Sequence, residues 1–162
     1  MKIVEKTSPN CEYGRQKYKP EAFVIHTTGG ETAGAIEWCT DPVSTVSYHY
    51  IIDPFGDAWE LVKPENTAWH AGKILNPTWS DLKYGINPNY YTIGIAFGGF
   101  ATDGPNLKQF LSIAELLRSL AVIHNIPLDR KHVVGHYEIR ADKVCPGPLF
   151  NLDALIYLAQ LK

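Results

Sequence analysis

Three side chains in this sequence have the types that hold a transition metal. His26 stands near the end of the apolar, β-branched run EAFVIHTT (21–28), and His136 directly follows VVG (133–135). Cys145 lies nine residues beyond His136, against Pro146, Gly147 and Pro148. Imidazole and thiolate are ligands that zinc favours, and a catalytic zinc site uses three protein ligands while keeping a fourth position for water. Histidines at the ends of adjacent strands converge without strain, and a proline-stiffened loop lowers the entropy cost of bringing a thiolate to them. The chain has no CxxC or HExxH. On spacing alone, a free buried cysteine and two ordinary histidines therefore compete with the metal site.

The elements that must position these residues follow from periodicity and breakers. EAFVIHTT, ended by Gly29-Gly30, predicts a buried strand, and TAGAIEWC (32–39) a short helix stopped before Pro42. SYHYIID (47–53) and DAWELV (57–62) flank Pro54-Phe55-Gly56 and predict a hairpin. Residues 63–90 are rich in Pro, Asn and Gly and read as long surface loops. YYTIGIAFGG (90–99) is apolar on both faces, as a central strand would be. From Leu107 to Ile126, Phe110, Ile113, Leu117, Leu120 and His124 share one helical face, with Lys108, Ser112, Glu115 and Ser119 on a polar stripe. Asn151 predicts the cap of a last helix that places Leu152, Leu155, Ile156 and Ala159 on one face. The alternation predicts one α/β domain over 1–162, a central mixed sheet flanked by helices, with the metal site at strand ends in a surface cleft.

At 162 residues the chain is long enough for a core without disulfides. A net charge of −2 gives no electrostatic ground for nucleic-acid binding or capture by an anionic membrane. No apolar run approaches the roughly 20 residues of a membrane span, and MKIVEKTSPN carries no apolar leader segment. Three cysteines at irregular spacing fit a reducing compartment or a metal site better than a disulfide framework, although a Cys11–Cys39 pair stays open.

FVIHTTGG, SYHYII followed by Gly56, WHAG, TIGIAFGG and GHYEI…DKVCPGP resemble, in order, the zinc-dependent N-acetylmuramoyl-L-alanine amidases, a group that includes phage lysozymes of the amidase type, cytoplasmic anhydro-muropeptide amidases and peptidoglycan-recognition proteins. The likeness runs from about Phe23 to Phe150. It implies zinc held by His26, His136 and Cys145, and hydrolysis of the amide between N-acetylmuramic acid and L-alanine in peptidoglycan. It implies catalytic roles for Tyr48 and Lys143, and a substrate groove bordered by Trp69 and His70. Read as residues alone, Tyr48 is equally a structural tyrosine and Lys143 a surface lysine. Ala96 departs from the cytoplasmic members, which carry a glutamate there, and the likeness leans toward the lytic phage type. The resemblance further implies a monomer without a wall-binding module, present in the host cytoplasm before reaching the wall. A recycling amidase and a non-catalytic muropeptide-recognition protein are the alternatives.

Overall fold

The computed structural model describes residues 1–161. In chain order the elements are β1 (Ile3–Glu5), β2 (Cys11–Glu12), β3 (Ala22–Thr27), α1 (Thr32–Thr40), β4 (Tyr50–Ile52), β5 (Ala58–Glu60), β6 (Thr67–Ala68), β7 (Thr92–Phe97), α2 (Leu107–His124), β8 (Val133–Gly135) and α3 (Leu152–Gln160). Six strands form one mixed sheet in the order β1-β5-β4-β7-β3-β8. β4 and β5 pair antiparallel as the expected hairpin, and the other ladders are parallel. Asp53 builds the hairpin turn by accepting from the backbone N–H of Phe55 and of Asp57.

β3 and β7 are buried at every position, as central parallel strands covered on both faces must be. On one face, Phe23, Ile25, Ile93, Ile95 and Phe97 form the main core with Ile113, Leu117 and Leu120 of α2 and Leu152 and Leu155 of α3. Asn106 caps α2 with a reciprocal Asn106–Gln109 box, and Asn125 closes it in the left-handed conformation at φ 54°. Asn151 caps α3 as expected. The opposite face carries two smaller clusters. α1 lays Ile36 and Cys39 over Ile51 and Ala96, while Trp79, Leu82 and Tyr91 cover Val24 and Val134.

Three expectations change. Residues 63–90 are not merely surface loop: they contain β6, paired with β2, and bury Ala71, Trp79 and Leu82. Among the described residues no α-helix covers that half of the sheet, so mostly irregular chain does. Ser112, assigned to the polar stripe, is buried, because the hairpin turn packs onto α2: a Cβ at Gly56 would lie 2.8 Å from Ser112 Oγ. His124 sits half-buried on the last turn of α2 and not within the core. Cys11, Cys39 and Cys145 are all free. Among the described residues no helix is long and apolar enough to cross a membrane.

Candidate metal centre and cleft

His26 is the penultimate residue of β3, and its register partner on β7 is Ala96. His136 begins the short 3-10 turn His136–Glu138 immediately after β8, the strand paired with β3 on its other side. Glu138 caps that turn: one carboxylate oxygen accepts from Gly135 N–H at 2.8 Å, and both bind Arg130 at 2.9 and 3.0 Å. Its carboxylate is thus taken up by structural contacts. The loop that follows returns Cys145 to the strand ends, placing its Sγ 3.3 Å from His136 Nδ1 and 3.9 Å from His26 Nδ1.

The donor set fits a metal. One ligand atom from each of His26, His136 and Cys145 lies within 4.8 Å of the others. Tetrahedral zinc with ordinary bond lengths sets its ligand atoms roughly 3.3–3.7 Å apart. Burial, reinforced by the neighbouring His136, holds His26 well below its ordinary pKa, and burial beside Lys143 pushes His136 down to about 4. Both rings are therefore neutral at pH 7 and have a lone pair to give. Burial raises the Cys145 thiol, with a Thr27 backbone hydrogen bond and Lys143 opposing the rise, so metal binding there must release a proton.

His26 is buried, while His136 and Cys145 line a cleft of about 680 Å³, with Tyr48, Trp69, His70, Lys73, Arg140 and Lys143 also in its lining. Its lining contains three cationic side chains and no Asp or Glu. Asp142 binds Arg140 through two hydrogen bonds, at 2.7 and 3.0 Å. Tyr48 and His49 lie just before β4 and not within a strand. The Tyr48 ring stands 5.1 Å from that of His26, and burial raises its pKa, keeping the phenol protonated. Trp69 is half-buried on the cleft wall.

Behind the donors lies a buried layer of which sequence reasoning named only His70, as a groove residue, and missed Arg15, His49 and Asn89. His70 is buried, with Nδ1 3.1 Å from His26 Nε2, and burial pushes its pKa down to about 3. His49 is fully buried and accepts the Gly94 N–H on Nδ1 at 2.9 Å. Arg15, also buried, donates to the carbonyls of Pro64, Asn89, Tyr90 and Thr92. Its Nη2 lies 2.8 Å from His49 Nε2. That cation adds to burial in keeping His49 neutral. Asn89 Oδ1 accepts from the backbone N–H of His70 and of Ala71, fixing the turn that carries His70. One signal pointed here: a lone glycine inside an apolar strand, Gly94, marks close approach by another group.

An α/β domain with a mixed sheet brings two imidazoles and a thiol together at its strand ends, a donor set that could hold a metal ion. The family model described as N-acetylmuramoyl-L-alanine amidase matches residues 16–148, and the chain belongs to that family. It is 35% identical over 98 residues to N-acetylmuramoyl-L-alanine amidase A of Achromobacter lyticus, a match covering 60% of this chain and 48% of that protein. Its fold is similar to that of an AmpD crystal structure, with a TM-score of 0.75 at 23% identity, covering 97% of this chain and 94% of that one. It is likewise similar to a mutant endolysin from Bacillus subtilis, with a TM-score of 0.73 at 24% identity, covering 98% and 99%. At these identities the structural likeness speaks for the fold. The chain spans about half the length of the curated relatives it matches.

Proposed function

We propose that the protein is a zinc-dependent N-acetylmuramoyl-L-alanine amidase, cleaving the amide between the lactyl group of N-acetylmuramic acid and L-alanine in peptidoglycan. The observation that carries this reading is the convergence of His26, His136 and Cys145, two of which line a cleft, in a chain of this family. Zinc held there supplies Lewis acidity toward the carbonyl and makes a water nucleophilic near neutral pH.

The remaining work falls to the chain's own side chains. Lys143 brings an ammonium to the cleft beside the ligands, where a cation would stabilise the oxyanion that develops as the carbonyl is attacked. Tyr48 keeps its proton and stands against His26, and in this reading its hydroxyl would orient the attacking water and donate toward the departing nitrogen. Among the described residues no Asp or Glu lines the cleft to act as a base, and Ala96, beside His26, is wholly buried among Ile36, Ile51 and Leu61. Lys73 and Lys143 suit the carboxylates of a stem peptide, and Trp69 offers an aromatic wall for the sugar–peptide junction. We place the protein with the lytic enzymes, acting as a monomer on wall polymer.

Digestion of purified sacculi followed by mass spectrometry tests the activity. New amino-terminal L-alanine, lost on chelation and restored by zinc, is the expected product. Retention of sacculi without any new amino terminus would leave a recognition protein. Cleavage confined to soluble anhydro-muropeptides would indicate a recycling enzyme.

A further inference from the structure

We propose that His70 is a positioning residue: as the middle member of a buried hydrogen-bond chain, it sets which ring nitrogen of His26 presents a lone pair to the metal position. This rests on the metal reading above.

The chain has a direction, and it can be derived from its far end. The Pro88 carbonyl can only accept, and the Thr92 hydroxyl donates to it at 2.7 Å. With its one proton so committed, Thr92 Oγ1 faces His70 Nε2, 3.4 Å away, as an acceptor. His70 Nε2 therefore carries the ring proton, and its Nδ1 keeps a lone pair. That lone pair faces His26 Nε2 at 3.1 Å, so His26 carries its proton on Nε2. What remains is the bare Nδ1 of His26, on the side of Cys145 Sγ. Thr92 and His70 thus each donate once and accept once, and His26 donates once and keeps a free lone pair.

The surroundings hold this arrangement. His26, His70 and Thr92 are 1%, 7% and 0% exposed, which leaves little room for water to reverse a bond. Asn89 clamps the backbone of His70, and Arg15 clamps the carbonyl of Thr92. The ring of His70 lies against the sheet only because residue 94 is glycine: a Cβ there would stand 2.5 Å from His70 Cγ. A metal-ligating histidine whose second nitrogen is held in this way gains in basicity and orientation, and loss of the partner costs about 10–100-fold in metal affinity.

Two measurements test the chain separately from the metal. Long-range proton–nitrogen correlation spectra of the metal-free wild type at pH 7.5 should show both His26 and His70 as Nε2–H tautomers. A predominant Nδ1–H form of either ring would overturn the proposal. Competition with a chromophoric chelator should then show zinc affinity falling about 10–100-fold in His70→Phe and in Gly94→Ala. His70→Asn, whose amide oxygen can accept from His26, should recover most of the loss. Circular dichroism and melting temperature monitor the fold of each variant. If the wild type binds zinc and His70→Phe binds it equally tightly, or if Asn does no better than Phe, the assignment fails. A wild type that takes up no zinc would defeat the metal reading alone, because the tautomers still decide the direction of the chain.

Discussion

Lowering the pH of the metal-free protein from 7.5 to 5.5 should cost it a large share of its stability. His26, His49, His70 and His136 are all buried. Burial is the first cause holding each of them down: His70 to about 3, His136 to about 4, and His26 and His49 well below 6.5. In the unfolded chain each has a pKa near 6.5. From pH 6.5 down to about 4, the unfolded chain therefore binds protons that the folded chain refuses, and stability falls as pH falls. At pH 5.5 that linkage amounts to about 1.4 kcal/mol per histidine, or about 5 kcal/mol for the four relative to pH 7.5. A domain has only about 5–15 kcal/mol in total. Carboxylates, with pKa values near 4, contribute little in this window. Urea unfolding of chelator-treated protein at the two pH values, analysed with a common slope, reads the difference directly. His70→Asn should reduce the loss by roughly 1.4 kcal/mol, one histidine's share. A total loss smaller than that single share would refute the reasoning, since the buried cluster would then be taking up protons without unfolding.

Elemental analysis of the purified protein should give about one zinc per chain, and His26→Ala or Cys145→Ala should lose most of it, since three ligands leave little redundancy. Lys143→Ala and Tyr48→Phe should each lower turnover on sacculi by roughly 10²-fold with zinc content and melting temperature nearly unchanged; rates close to wild type would remove both from the reaction. The acidic limb of kcat/KM should lie well above the carboxylate range, because no Asp or Glu lines the cleft, and a limb near pH 4 to 5 would point to a carboxylate base outside it. Glu138→Gln should lower the melting temperature, by loosening the Arg130 and Gly135 contacts, while leaving turnover within a few fold.

Much of this arrangement is written locally in the chain. The runs AFVIHT and TIGIAF are apolar at almost every position, which only a strand covered on both faces can use, and they became β3 and β7. Asn106, Asn125 and Asn151 bound their helices because capping depends on the residue beside the helix end and on little else. The ligand types were legible for a similar reason: a histidine at each strand end and a cysteine in a proline-bounded loop are local features. The layer beneath them is not local. Arg15 meets the carbonyl of Thr92 across 77 positions of sequence, and His70 meets His26 across 44. Nothing near either residue marks it for burial. Residues 63–90 carry the composition of a surface loop, yet they are drawn over Val24 and Val134 because no helix shields that part of the sheet. The composition of the sequence by itself determined which side chains are able to bind a metal. Only the tertiary structure turned Nδ1 of both His26 and His136 toward Cys145 Sγ, because that orientation depends on groups far apart in sequence that the chain brings together by folding.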